Sequence, residues 1–238
     1  MRYAIFSDIH GNWEALETAV EHAQKNSVRS YAVLGDSVGY GANPNECMEW
    51  VAKNAGINLL GNHEVAVSDR EIRKGFNAYA HEAIIWTEGR LDRSFKDRIL
   101  KLGYRHEIEG VTFVHGSPDF PEEFRYLNRY EDARESFAHF KTRICFAGHT
   151  HRPGCICELE KSARGLPPGV LKLDARERYI LNPGSIGQPR DGDPRLSYGI
   201  YDGQQQSFEI FRLEYNNTKA AEKIRKAGLP RFLADRLL

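Results

Sequence analysis

The 238-residue sequence predicts an α/β protein, a two-sheet mixed β-sandwich flanked by helices, folded as one domain over residues 1–238. Three observations predict it. Five short apolar runs each stop at glycine or at side chains able to bind metal. Segments with helical spacing lie between the early runs. Beyond residue 151 the chain changes to short strands broken by turns.

The first run, Tyr3-Ala4-Ile5-Phe6-Ser7, ends in Asp8-Ile9-His10, so a buried strand at 3–7 delivers a carboxylate and an imidazole into a loop. Trp13, Leu16, Val20 and Ala23 then recur at helical spacing to about Lys25, and a strand at 31–34 follows, stopped by Gly35-Asp36. Strand, helix and strand in this order imply a right-handed parallel crossover. A second unit repeats the pattern. Asn43, Pro44 and Glu46 read as N-cap, N1 and N3, with Glu46 placed to reach back to the cap amide. The helix runs to about Asn54, and a strand at 57–60 ends in Gly61-Asn62-His63-Glu64.

Residues 64–102 carry no strand signal; Phe76, Tyr79, Ala80, Ala83 and Ile84, then Leu91, Phe95 and Ile99, predict two or three helices. Residues 104–108 and 111–115 read as a hairpin about Glu109-Gly110, its second strand, 111–114, ending at His115-Gly116. A Pro-rich loop at 117–121 and a helix at about 131–140 precede a strand at 143–147, which ends in Gly148-His149-Thr150-His151. Pro167-Pro168-Gly169, Asn182-Pro183-Gly184-Ser185 and the Gly/Pro-rich stretch 190–194 then break the chain. Residues 198–201 and 208–213 pair through Asp202-Gly203. The expectation is a second, more antiparallel sheet facing the first, closed by helices at about 217–228 and 231–238.

Lys plus Arg and Asp plus Glu both number 33, so no overall basic field gathers long duplex nucleic acid or an anionic membrane. With the first strand starting at residue 3 there is no room for a secretory signal, and no run approaches the roughly 20 apolar residues of a membrane helix. A cytoplasmic protein is expected; no feature sets an oligomeric state. Cys47, Cys145, Cys155 and Cys157 lack framework or zinc-knuckle spacing and read as reduced structural thiols, with a redox-sensitive pair at 155 and 157 as the alternative.

Singly, an Asp-x-His or a Gly-Asn-His is a chance occurrence, and one histidine at a strand end is more often a hydrogen-bonded structural residue than a ligand. Their combination carries the argument. Five of the 9 histidines sit at predicted strand ends beside Asp8, Asp36 and Asn62, where open α/β sheets bind ligands.

Asp8-Ile9-His10, Gly35-Asp36-Ser37-Val38-Gly39, Gly61-Asn62-His63-Glu64, His115 and Gly148-His149-Thr150-His151 together resemble the ordered motif set of calcineurin-like metallophosphoesterases. The length and Asn182-Pro183-Gly184-Ser185 resemble the small bacterial and archaeal phosphodiesterase-like branch. The resemblance implies a single metallophosphoesterase domain with two divalent metals, one on Asp8, His10, Asp36 and His151, the other on Asp36, Asn62, His115 and His149. Asp36 would bridge them, since its carboxylate has two oxygens. Imidazole, carboxylate and amide ligands suit Mn, Fe, Zn, Co or Ni, with Mn(II) first from the family. It further implies attack on phosphorus by a metal-bound hydroxide and His63 as proton donor to the leaving oxygen, with Glu64 the structural residue behind it.

Arg152 and Arg190 are candidates for phosphate contact, each with a solvated surface charge as the alternative. Tyr40 could stack a ring. The expected activity is hydrolysis of a phosphodiester, nucleotide or other small phosphate ester. A serine/threonine protein phosphatase or a dinucleoside polyphosphate hydrolase would share the same centre, because specificity lies in the loops. Hydrolysis of short oligonucleotides also stays open. A non-catalytic scaffold of the same fold, like the retromer subunit that resembles these enzymes, would be expected to have lost His63 or ligands, and all are present.

Overall fold

The computed structural model describes residues 2–238. In chain order the elements are β1 (Arg2–Phe6), α1 (Trp13–Lys25), β2 (Tyr31–Val33), α2 (Pro44–Asn54), β3 (Ala55–Asn58), α3 (Asn62–Ser68), α4 (Ala78–Arg90), α5 (Arg93–Ile99), β4 (Arg105–Ile108), β5 (Val111–Val114), α6 (Tyr130–Ala133) and β6 (Ile144–Phe146). They continue with β7 (Pro153–Cys157), β8 (Ser162–Gly165), β9 (Gly169–Lys172), β10 (Tyr179–Pro183), β11 (Leu196–Asp202), β12 (Ser207–Leu213), α7 (Asn217–Lys226) and α8 (Arg231–Asp235). The expected fold class holds: two six-stranded mixed sheets, ordered β3-β2-β1-β11-β12-β9 and β4-β5-β6-β10-β7-β8.

The alternation of β1 shows how the layers are built. Ala4 and Phe6 face Leu16, Ala19, Val20 and Ala23 of α1, while Ile5 points the other way to join Phe113, Phe146 and Leu181 from the second sheet. A period of two thus divides one strand between a helix layer and the sandwich interior.

The strands after residue 151 do not form a sheet of their own. β11 pairs antiparallel with the free edge of β1, and β10 pairs parallel with β6, so each sheet combines early and late strands. Without β11, β1 would expose a row of unpaired amides and carbonyls in mid-sheet. The ligand-bearing ends accordingly come from both sheets, three from β1, β2 and β3 and two from β5 and β6.

Smaller departures have local causes. The expected helix at 131–140 splits into α6 and a 3₁₀ turn at Ser136–His139. The carbonyls of Phe137 and Phe140 accept from the Arg178 guanidinium, which competes with continuation of the helix. Glu46 does not reach the cap amide. That N–H already donates to Gly11 O at 2.9 Å, and Glu46 instead accepts from the Asn43 side chain at 2.6 Å. The strand expected at 57–60 lies at Ala55–Asn58, leaving Leu59 as a single bridge to Gly103.

Candidate metal centre

Five of the strand-end side chains reach the centre through backbone that L-residues rarely adopt. Asp8, His10, Asp36, His149 and His151 have φ of 54°, 50°, 54°, 66° and 58°. A left-handed residue costs roughly 1–2 kcal/mol, and such strain persists where surrounding contacts over-determine it, characteristically at functional sites. Two to five residues beyond the strand ends, this conformation turns the chain so that these side chains meet.

Glycines allow the loops to meet. A Cβ on Gly61 would collide with the Asp36 carboxylate, and one on Gly148 would strike the Ser7 hydroxyl. The loop after β2 is then pinned by Glu64. Its buried carboxylate accepts from the backbone N–H groups of Asp36 (2.7 Å), Ser37 (2.6 Å), Val38 (3.3 Å) and Gly61 (2.9 Å). Glu64 therefore fixes the position of Asp36, a larger role than the cap its sequence position suggests.

The structure brings Asp8, His10, Asp36 and His151 into one buried group and Asp36, His115 and His149 into another, with potential ligand atoms within 4.8 Å of one another in each. Asn62 joins the second group, its Oδ1 3.3 Å from His115 Nε2. Asp36 belongs to both, in a way the sequence argument did not foresee. Oδ1 is occupied by the His63 N–H at 2.8 Å, whereas Oδ2 lies 3.3 Å from His115 Nε2 and 3.7 Å from His10 Nε2. One oxygen, rather than one for each group, faces both.

These side chains fit divalent cations on their own chemistry. His10 Nδ1 lies 3.0 Å from Val38 O and His151 Nδ1 2.6 Å from Gln188 O. A carbonyl only accepts, so both Nδ1 atoms carry the proton and both Nε2 atoms present lone pairs. Those two Nε2 atoms face each other at 3.1 Å. A divalent cation between or beside them would satisfy both buried lone pairs. His115 Nε2 and His149 Nδ1 repeat the confrontation at 3.2 Å, and Asp8 Oδ1 is buried without a hydrogen-bond donor among the described residues.

The electrostatics state the same demand. Burial, reinforced by the Asp36 charge, pushes Asp8 up to about 6 and Glu64 up to about 7. Burial lowers His10 and His151 far below the usual imidazole range and His149 to about 3. Burial would also lower His115, yet Asp36, Asp8 and Glu64 outweigh it and lift the ring to about 9. Against burial, the surrounding imidazoles hold Asp36 well below the carboxylate range. Three buried carboxylates thus draw positive charge to the middle of the site.

The remaining expected residues are placed as follows. His63, held by burial to about 4, packs between Tyr40 and Phe76 with ring centroids at 4.5 and 5.1 Å, and beside His10 at 4.7 Å. Arg190 approaches from the His151 side. Its backbone N–H donates to His151 O at 3.2 Å, and its Nη2 lies 3.4 Å from Tyr40 Oη. Arg152 is exposed and lines a neighbouring cleft with Asn182 and Cys155, donating to Arg190 O at 3.0 Å. Sequence reasoning missed Phe124 and Tyr126, which lie over His115 and His149. They follow a Pro-rich loop without periodicity, and their only signal was the local density of aromatic and acidic residues.

A two-sheet sandwich whose strand ends converge on buried Asp/His clusters able to bind metal has the features of a metallohydrolase. The chain belongs to the calcineurin-like phosphoesterase superfamily, whose domain model matches residues 1–206, and it is a metal-dependent phosphoric ester hydrolase. It is 38% identical over 239 residues to the uncharacterized protein MJ0912 of Methanocaldococcus jannaschii, covering 98% of this chain and 96% of the relative. The crystal structure of a metallophosphoesterase from Sphaerobacter thermophilus superposes with a TM-score of 0.91 at 39% identity, over 100% of this chain and 98% of that one. A hypothetical protein of Pyrococcus horikoshii, PH1004, shares the fold at a TM-score of 0.81 and 17% identity, over 99% and 97% of the two chains. Among the described residues, no helix is long and apolar enough to cross a membrane.

Proposed function

We propose that the chain hydrolyses a small phosphodiester, with Asp8, His10, Asp36 and His151 holding one divalent ion and Asp36, Asn62, His115 and His149 the other. The observation that carries this reading is Asp36 Oδ2, placed toward imidazoles of both groups. Bound there, the ions would polarise the phosphoryl oxygens and lower the pKa of water towards neutrality. Mn(II) is the first metal to test; Fe, Zn, Co and Ni suit the same ligands.

The chain's own residues do the rest. Arg190 offers a fork of donors to the phosphate. His63 donates a proton to the leaving oxygen; the negative charge of a phosphate beside the ring works against the burial that holds it neutral. Glu64 keeps Asp36 in register throughout. A cytoplasmic setting belongs to the same reading, supported by four buried free thiols.

The test is metal content and hydrolysis measured on the same samples. The metal-loaded protein is expected to cleave diesters and to stop on chelation. Asp36→Asn should weaken both ions together, whereas His10→Ala should chiefly weaken one. Two full equivalents retained in Asp36→Asn would remove the bridge, and undiminished hydrolysis after chelation would remove the metal mechanism. Absence of hydrolysis with both ions bound would favour a scaffold.

A further inference from the structure

We infer that the cleft beside Asn62, His63 and His149 receives the leaving group, and that this group is an uncharged, ring-bearing alcohol of the nucleoside class, stacked on Tyr126. The inference rests on the phosphodiester reading above and names the substrate class it leaves open. The cleft has a volume of about 480 Å³, within the range of small-molecule sites. Tyr40, Phe76, Phe124 and Tyr126 give it aromatic walls.

Tyr126 is the wall residue with a free ring face. It is 50% exposed, yet lies nearly flat on His149, with ring centroids 4.0 Å apart and planes at 23°. One face is committed to the centre, and the other is open to a planar ligand. Phe124 behind it is buried at φ 52°. A Cβ on Gly116 would stand 2.8 Å from Phe124 Cα, so this wall is held closely against the strand that ends at His115.

Charge decides what the cleft can take. Among the described residues no lysine or arginine lines it, while Glu122 and Glu123 both do. Arg125 is bound to Glu123 at 2.6 Å and to Asp119 at 3.2 Å. The cation of the centre, Arg190, comes in over Tyr40 from the His151 side. A leaving group bearing phosphates would meet a carboxylate and no counter-charge. A nucleoside would meet aromatic faces and an acceptor for its hydroxyl hydrogens. A polyphosphate or phosphopeptide leaving group is therefore disfavoured, and the charged part of the substrate belongs on the Arg190 side.

In the reaction the oxygen of water bonds to phosphorus and releases one proton to solvent, the P–O bond to the nucleoside breaks, and His63 is reprotonated from solvent after the step. The bonding pair stays on the nucleoside oxygen, which takes the His63 proton to become a hydroxyl. Nothing is oxidised or reduced.

The experiment uses metal-loaded protein on adenylyl-adenosine, on dimethyl phosphate, which has no nucleoside to expel, and on diadenosine tetraphosphate. Wild type should prefer the first over the second in kcat/KM. That preference should fall roughly tenfold in Tyr126→Ala and survive in Tyr126→Phe; taking a ratio cancels any uniform loss from disturbing His149. Glu122→Lys should raise the relative rate on diadenosine tetraphosphate. Separately, saturation-transfer NMR on metal-free protein should detect adenosine with wild type and Tyr126→Phe but not Tyr126→Ala. An unchanged preference in Tyr126→Ala, no adenosine signal with wild type, or a wild type faster on diadenosine tetraphosphate overturns the inference and leaves phosphoester hydrolysis standing. Failure to cleave any of the three with both ions bound overturns the phosphodiester reading, and the inference with it.

Discussion

The two halves of the metal centre are built from the same residue types but to different degrees of completion. On the Asp8, His10 and His151 side, both Nδ1 atoms are tied to backbone carbonyls, and the three residues are at most 1% exposed. On the Asn62, His115 and His149 side, His115 Nδ1 has no partner among the described residues, and His149 is 6% exposed under Tyr126. The first half has its tautomers set before any ion arrives, while the second opens onto the cleft. In the function proposed above, orientation of ligands and access of substrate would thereby fall on different sides of one carboxylate, Asp36.

His63 stands at the seam, against His10 on one side and Phe76 of the cleft on the other. Its replacement is the largest break in the comparison short of removing a ligand. His63→Asn is expected to keep both ions and to lose about 10²- to 10⁴-fold in rate on an alkyl ester. A nitrophenyl ester, whose leaving group needs no proton, should lose less. Equal losses on both esters, or a missing ion in the same samples, would make His63 a phosphate-positioning or metal-holding residue.

A smaller effect sharpens the contrast between the halves. Partners that orient a ligand imidazole are typically worth about 10- to 100-fold in metal affinity, so the half with both Nδ1 atoms held should retain its ion more tightly, by roughly tenfold. A graded chelator titration should remove the ions in two steps. His149→Ala should abolish the weaker step and His10→Ala the stronger. A single step in wild type would show the halves to be equivalent.

The smallest expected effect concerns the support of the open half. Arg73 donates to Ala66 O and, at 2.8 Å, to Val67 O, near the end of α3, and it pairs with Glu88 at 2.7 Å. The hydrogen bond from Arg73 lowers the Glu88 carboxyl below its ordinary value. A depressed carboxyl contributes stability that is fully present above the unfolded value of about 4.5 and is lost as pH falls through the folded value. Glu88→Gln should therefore cost about 1 kcal/mol at pH 7, Glu88 being a third exposed. The gap from wild type should narrow below pH 4.5, as followed by denaturant unfolding at several pH values. A gap that widens on acidification would remove the pair from the support of α3.

What could be read in the sequence was whatever local pattern controls. An apolar run stopped by glycine and a ligand-type side chain shows both the strand and its polar end, so the placement of Asp8, His10, Asp36, Asn62, His115, His149 and His151 beyond strand ends was legible, and the structure gathers them together. Helical spacing likewise located α1, α4 and α5, and the Asn43-Pro44 start located α2. Tertiary structure alone decided which strands share a sheet, because β1 finds β11 nearly 200 residues away through edge pairing that no local pattern encodes. It also decided that one oxygen of Asp36 faces both groups, that Glu64 holds four backbone amides, and that Tyr126 lies on His149. Each depends on left-handed turns and close glycine contacts between loops far apart in the chain. A sequence can announce that a residue is able to bind; the direction in which it points is set by what the rest of the fold presses against it.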